Sequence, residues 1–177
     1  MKKSSLVTFA LCLAALAPCA GRILAQDNRE PDLSTNCASL EAGETNKVAM
    51  RVFAVGVQIY RWNGTAWAFV APVAVLYANE DHDGEVGIHY AGPTWESQSG
   101  SKVVGLRIAG CTPNPTAIPW LRLKAIFNNG PGILERVTFI QRVNTVGGIA
   151  PASPGTSIGQ EAQVPYTAEY VFYRAKD

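Results

Sequence analysis

Charged residues make up only 16% of this 177-residue sequence, which also contains just two histidines and four cysteines. Because no histidine lies near a cysteine pair, we expect no zinc site, and no motif indicates another metal or a cofactor. Lysine and arginine occur singly rather than in basic runs. Proteins that bind nucleic acid or membrane surfaces through phosphates cluster these residues, so the sequence predicts neither kind of partner.

Long apolar runs are also absent, except for Leu6–Ala17 near the N-terminus. This run follows Lys2 and Lys3, and at about a dozen residues it is too short to cross a bilayer of roughly 30 Å as a helix. We interpret residues 1–25 as a signal peptide that is cleaved after Ala25. The sequence therefore predicts an exported protein, periplasmic or secreted, with no transmembrane segment.

Removal of the signal peptide leaves a polar N-terminal extension, residues 26–45, and a single domain, residues 46–177. It also leaves only two cysteines, Cys37 and Cys111. In an oxidising compartment such a pair is more often bridged than free. We predict a Cys37–Cys111 disulfide that ties the extension to the domain and contributes about 4 kcal/mol in the chain-entropy model.

From Asn46 onward, apolar residues recur at every second position, and glycine and proline interrupt the pattern, which is typical of β-strands. Asn63-Gly64 and Asp83-Gly84 predict hairpin turns. Seven or eight strands in one small domain must pack as two sheets or close on themselves. We therefore predict an all-β, single-domain antiparallel β-barrel or β-sandwich of about seven to eight strands.

Seven strands can be placed from this alternation: Arg51–Trp62, Trp67–Tyr77, Glu85–Tyr90, Lys102–Ala109, Trp120–Phe127, Leu134–Val146 and Val164–Arg174. In the first strand, one face is aliphatic or aromatic, and we expect it in the core: Phe53, Val55, Val57 and Ile59. The other face carries small, polar and aromatic groups: Ala54, Gly56, Gln58 and Tyr60. In the fifth strand, the same rule predicts that Phe127 points inward.

Several sequence blocks carry a family resemblance. The most specific are HYAGPTWE, residues 89–96, and QRVNTVGG, residues 141–148; GVQIYRW, FVAPVAVLY, AIPWLRLKA and VPYTAEYVFY accompany them in order. Together they resemble the exported family known as domain of unknown function 3455. The resemblance covers nearly the whole chain after residue 25. It implies an exported single-domain protein and brings with it no activity or ligand.

Two short motifs are interpreted as chance matches. Residues 79–84 resemble half a calcium loop, but Tyr90 stands where a bidentate glutamate is required, so we expect a solvated turn. Gly155–Gly159 fits the pattern G-x-S-x-G, yet it lies in a proline-rich loop without the strand and helix that a nucleophile elbow needs.

The strongest candidate site is HYAGPTWE itself, where His89, Tyr90, Trp95 and Glu96 flank a Gly-Pro turn. A histidine and a glutamate within reach of each other could exchange protons as general acid and base. The alternative interpretation is structural, with His89 as a hydrogen-bonded rim residue and Trp95 in the core.

Polar and aromatic groups on other strands extend this candidate site: Gln58, Tyr60, Trp120, Arg142 and Asn144. Alternation predicts that Arg142 and Asn144 share one face of their strand, with Gln141 and Thr145 on the other. Rings beside amides and an arginine suit small polar ligands, although a buried hydrogen-bond network would use the same groups.

Three functions follow from these residues. The leading hypothesis is a non-catalytic β-domain that binds a small polar molecule or an envelope glycan. The second is a hydrolase or isomerase that uses His89 or Glu96 as base and Arg142 to stabilise negative charge, which requires these groups to meet in one cleft. The third is a structural protein of the cell envelope, expected to expose an apolar patch and to lack a pocket.

Overall fold

The computed structural model describes residues 29–33 and 35–177, so the predicted signal peptide lies outside the described residues. A short 3₁₀ helix, Thr35–Leu40, precedes eight strands. These are β1 Asn46–Trp62, β2 Trp67–Tyr77, β3 Glu85–Tyr90, β4 Thr94–Ser97, β5 Lys102–Cys111, β6 Trp120–Asn129, β7 Val137–Gly147 and β8 Glu161–Ala175. Within the described residues, no helix is long and apolar enough to cross a membrane.

The eight strands form one closed antiparallel barrel. Each strand pairs with its neighbours in sequence, and β8 pairs with β1 to complete the ring. The β1–β8 seam is long, running from Asn46 opposite Ala175 to Arg61 opposite Glu161. The all-β prediction is confirmed, and of its two architectures the structure has the barrel.

Both predicted hairpin turns are present, and asparagine side chains stabilise them. Asn63 Oδ1 accepts hydrogen bonds from the backbone N–H of Thr65 and Ala66, each at 2.9 Å, while Gly64 has a positive φ of 98°. In the β2–β3 turn, Asn79 Oδ1 accepts from the Asp83 N–H at 2.9 Å. This oxygen, which the calcium motif would use as a ligand, therefore closes the turn.

The strand β4 is the element that the sequence interpretation missed. Only four residues long, it follows a tight turn directly, so it offers too few positions for an alternation to be recognised. Several bounds also differ: β1 begins at Asn46 rather than at Arg51, β7 begins at Val137 rather than at Leu134, and β8 begins at Glu161 rather than at Val164, which shortens the preceding loop.

The predicted faces of β1 are reversed in the structure. Ala54 and Gln58 are buried inside the barrel, whereas Val55 is 36% exposed on its outer surface. Large rings from other strands, among them Trp95 and Tyr170, fill the interior, so β1 contributes small side chains there. At Gly56 a Cβ would lie 2.1 Å from the Val73 carbonyl oxygen, which explains the glycine.

Phe127 on β6 is likewise exposed rather than inward. Its side chain is 55% exposed, while Leu123 on the same strand is buried. The β5–β6 pair contains two register shifts, one of them between Val104 and Gly105, opposite Phe127 and Ala125. An extra residue in a ladder moves the following side chains to the other face, and a sequence pattern does not reveal it.

The N-terminal extension packs on the outer surface of the barrel. Cys37 forms the predicted disulfide with Cys111 at the end of β5. Leu40 is fully buried, and its carbonyl oxygen accepts a hydrogen bond from Gln141 Nε2 at 2.6 Å. Gln141 Oε1 in turn accepts from the Tyr173 hydroxyl at 2.7 Å. The disulfide and this buried network hold the extension against β5, β7 and β8.

Candidate functional site

A cavity of about 280 Å³ lies inside the barrel, toward the end that carries the β3–β4 turn. All eight strands contribute to its wall, because inward side chains converge where the barrel narrows onto the turn. The lining residues are Gln58, Phe69, Val70, Pro72, His89, Gly92, Pro93, Trp95, Arg107, Leu121, Leu123, Arg142 and Tyr170. Four of the predicted site residues are among them: Gln58, His89, Trp95 and Arg142.

His89 and Trp95 form the best-defined wall of the cavity. They face each other across the β3–β4 ladder, and their rings stack with centroids 4.4 Å apart and planes 9° from parallel. The ring of Tyr170 meets both edge-on, with centroids 5.1 Å from His89 and 5.3 Å from Trp95. Such contacts fix the orientation of all three rings before any ligand arrives.

His89 is neutral in this environment. Its Nδ1 lies 2.8 Å from the Thr94 carbonyl oxygen, and because a carbonyl only accepts, Nδ1 carries the proton and Nε2 is left as an acceptor. The pKa of His89 is lowered to about 3, mainly by burial; the bond to Thr94 opposes this shift, and the positive charge of Arg142 contributes to it. A neutral imidazole with this pKa is a weak base at neutral pH.

Arg142 supplies a positive charge to the cavity wall. Its Nε and Nη2 donate hydrogen bonds to the Pro119 carbonyl oxygen at 3.1 and 2.8 Å, which fixes the guanidinium plane. The Tyr170 hydroxyl also interacts with it. Among the described residues, none of the ion pairs involves Arg142 or the second cavity arginine, Arg107. The positive charge at this end of the barrel is therefore not neutralised by a neighbouring carboxylate.

Two buried donors in the cavity wall lack a hydrogen-bond partner. They are Gln58 Nε2 and Trp95 Nε1, in side chains that are 2% and 1% exposed. The Tyr166 hydroxyl interacts with Gln58, but no bond of acceptable geometry reaches its Nε2. Buried polar groups are usually paired, so unpaired donors around a cavity indicate a place where an acceptor is missing.

Tyr60 lies close to the cavity, but its contacts stabilise the end of the barrel. Its hydroxyl donates a 2.7 Å hydrogen bond to the Gly148 carbonyl oxygen, and its ring packs edge-on against Phe69. Burial raises the pKa of Tyr60, and nearby Arg142 partly opposes this. Tyr60 thus anchors the start of the β7–β8 loop behind the cavity rather than lining it.

Glu96 and Tyr90 lie on the outside of the barrel, away from His89. Successive residues of a strand point to opposite faces, so Trp95 points inward and Glu96 outward. Glu96 accepts a 2.9 Å hydrogen bond from the Tyr90 hydroxyl and pairs with Lys102 at 3.0 Å. The hydrogen bond from Lys102 has the largest effect on the pKa of the Glu96 carboxyl and lowers it; the hydrogen bond from Tyr90 has the next largest effect, in the same direction. The cleft that the hydrolase hypothesis requires is therefore not formed by His89 and Glu96.

Asn144 does not share the inward face with Arg142. The β7–β8 register shifts between Val143 and Val146, and Asn144 adopts a positive φ of 50° within this bulge. Its Nδ2 donates to Glu169 Oε1 at 2.9 Å on the outer surface. The predicted common face was wrong because a bulge interrupts the alternation.

Trp120 also stays outside the cavity, and the polar neighbours of Arg142 have structural roles. Trp120 is half-buried at the first position of β6, opposite Cys111.

Thr145 is buried, and its hydroxyl donates to the Ile118 carbonyl oxygen at 2.6 Å. Gln141 holds the extension, as described above. For these two residues the buried-network interpretation is the one that the structure supports.

Sequence reasoning missed the apolar and cationic remainder of the lining, chiefly Phe69, Val70, Arg107, Leu121 and Tyr170. Arg107 had a detectable signal, since it is a lone arginine within the otherwise apolar middle of β5. Val70 had none, because it joins the lining through a register shift between β1 and β2, next to Tyr60.

A family model described as "Protein of unknown function (DUF3455)" matches residues 42–174. This chain belongs to the DUF3455 family. The match runs from the end of the extension to Arg174, so it includes all of the barrel except the last residue of β8, and every residue of the cavity. No curated protein and no solved structure matches the chain.

The DUF3455 barrel also has a larger depression, of about 520 Å³, between the extension and the outer wall. It lies beside Glu30, Asp32 and Lys176 and contains none of the predicted site residues. The described residues hold no cluster of three or more side chains suited to binding a metal. The smaller interior cavity is the better-built site, because its wall combines buried polar groups with stacked rings.

The outer surface of the DUF3455 barrel is apolar across three adjacent strands. Val55 pairs with Val75, Val57 with Val73 and Val75 with Ile88, so these side chains form neighbouring rows. Val73 is 52% and Ile88 41% exposed. The structural hypothesis expected such a patch without a pocket, whereas this barrel has both.

Proposed function

We propose that this protein is an exported, non-catalytic β-barrel that binds a small polar ligand in the interior cavity. The observation that carries the proposal is the convergence of Gln58, His89, Trp95 and Arg142, from four strands, on one partly enclosed space. Rings in fixed orientation, together with a few polar groups, are the usual composition of a ligand pocket. At about 280 Å³ the cavity is near the lower limit of such pockets, which favours a small molecule over a glycan chain.

The lack of a suitable base supports binding over catalysis. His89 is the only histidine at the cavity, and its low pKa makes it a poor proton acceptor at neutral pH. Among the described residues that line the cavity, none is an aspartate or a glutamate. A role as an envelope scaffold remains the second candidate, and the exposed apolar rows that contain Val73 and Ile88 are the observation in its favour.

The proposal that the protein is exported depends mainly on the sequence. The segment with Lys2, Lys3 and the Leu6–Ala17 run supports it, and the Cys37–Cys111 disulfide is compatible with an oxidising compartment. We expect the protein in the exported fraction of the native cells with Gln26 as its first residue. N-terminal sequencing of the purified protein tests this, and a mature chain that still begins at Met1 would contradict it.

Filling the cavity with a larger side chain should weaken ligand binding. Val70 lies at its rim and is 43% exposed, so a larger side chain can enter the cavity without unfolding the barrel. We expect Val70→Trp to weaken binding at least tenfold, measured by native mass spectrometry on protein from the exported fraction and by titration with the ligands so identified. Val73→Trp is the matched control, because Val73 is on the same strand and outside the cavity.

The control should bind as the unmodified protein does. If both tryptophan variants bind equally well, the ligand occupies another surface and the proposed site is wrong. If the unmodified protein carries no adduct and binds no member of a panel of small sugars, polyols, amides and carboxylates, the binding function itself is wrong.

A further inference from the structure

We propose that the ligand is a small monocarboxylate with an apolar body, an inference that rests on the proposed binding function. The charges at the cavity are of one sign. Arg142 and Arg107 line it, His89 is neutral, and none of the described residues in the wall is acidic. A positively charged, partly enclosed site attracts an anion, and the attraction is strongest at the half-buried Arg142, because water screens the exposed Arg107.

The free edge of Arg142 matches a carboxylate. The Pro119 carbonyl oxygen accepts from Nε and from one hydrogen of Nη2, and the Tyr170 hydroxyl interacts with the same guanidinium, so a ligand would bind at the Nη1 side and share it with Tyr170. Two parallel N–H groups of a guanidinium bind the two oxygens of a carboxylate in a fork. Because Pro119 already fixes the guanidinium plane, this fork requires little further ordering.

The remaining donors reinforce the preference for an acceptor-rich ligand. Gln58 Nε2 and Trp95 Nε1 are buried in the same wall without partners. The two nitrogens themselves are covered by neighbouring atoms, so they add to the donor excess of the wall without being open to a ligand. A cationic ligand would bring further donors and would be repelled by Arg142, so the donor excess disfavours amines.

The rest of the wall is apolar and selects the ligand's body. Phe69, Pro72 and Leu123 also line the cavity. Apolar contacts of this kind contribute about 25 cal/mol for each Å² that is removed from water. A short alkyl or aryl group therefore fits beside the carboxylate, whereas a highly hydroxylated sugar acid would leave hydroxyl groups unpaired against these side chains.

The test compares carboxylates with amides of the same skeleton: butanoate to octanoate and benzoate against butanamide to octanamide and benzamide. We expect at least one carboxylate to bind with a Kd at least tenfold below that of its amide, measured by isothermal titration calorimetry at low salt. Arg142→Gln should remove this preference and leave amide binding within twofold. Arg136→Gln is the charge-matched control, since Arg136 is exposed at the opposite end of the barrel.

A second variant tests the same inference without removing the hydrogen bonds between Arg142 and Pro119. Arg107 is exposed and has no ion pair among the described residues, so Arg107→Gln should fold normally and weaken carboxylate binding two- to fivefold. If carboxylates and amides bind equally well, or if only sugars bind, and Val70→Trp removes that binding, the carboxylate inference is wrong and the binding function stands. Absence of any saturable binding across all compounds would overturn both.

Discussion

Replacing Cys37 and Cys111 together with alanine should lower the free energy of unfolding by about 4 kcal/mol, because the disulfide closes a loop that spans 74 residues and restricts the unfolded chain. Urea unfolding of the oxidised protein and of the double variant measures the difference. We also expect a larger m-value in the variant, since its unfolded chain is less compact. Stabilities typical of single domains are only about 5–15 kcal/mol, so this loss is a large part of the whole.

Reduction provides the internal control for the disulfide. Dithiothreitol should destabilise the unmodified protein to the level of the double alanine variant and should leave that variant unchanged. A loss below about 1 kcal/mol would mean that the contacts of the extension, such as Gln141 with the Leu40 carbonyl, already restrict the unfolded ensemble or compensate for the bridge.

Acid should destabilise the barrel through His89. Unfolded His89 takes up a proton near pH 6.5, whereas the folded residue does so only near pH 3, because burial opposes the charge. Between these values the unfolded state binds more protons, so stability falls as the pH falls. At pH 4 this residue alone should cost about 3 kcal/mol, from about 1.4 kcal/mol for each pH unit below 6.5.

The two histidines of the chain make a matched pair for this test. We expect His89→Gln to flatten the fall in stability between pH 6.5 and 4, and His82→Gln, in the exposed β2–β3 turn, to leave it as it is. The groups that face His89 are Thr94, Trp95, Tyr170 and Arg142, and none of them is an acid that titrates in this range. Parallel pH profiles for the two variants and the unmodified protein would show that His89 accepts a proton without opening the barrel.

The sequence predicted the strands and hairpins well because alternation and turn chemistry are local. Asn63-Gly64 turns the chain through the Asn63 side chain and the positive φ of Gly64, and the Asp83-Gly84 turn is closed by Asn79, only four residues before Asp83, so each signal lies within a few residues. The inside of the barrel was not predictable in the same way. Whether Val55 or Ala54 faces inward depends on the rings that arrive from β4 and β8, far away in sequence.

The candidate site shows the same division. His89 and Trp95 were predicted together and do face each other, because a short turn joins their strands. Glu96 was expected within reach of His89, and its outward direction was missed because β4 was not recognised; Asn144 was assigned to the wrong face because a bulge follows Val143. Register shifts arise from the pairing of two strands, so one strand read alone cannot reveal them.

The long seam between the first and last strands also sets when the binding site can exist. Tyr170 belongs to the final strand, and the wall that holds Gln58 closes only when that strand pairs with β1. A chain still being synthesised lacks β8 until residues 161–175 emerge, and pairing across so long a sequence separation is slow. Ligand therefore cannot guide the early steps of folding, and binding reports a chain in which β8 has paired with β1.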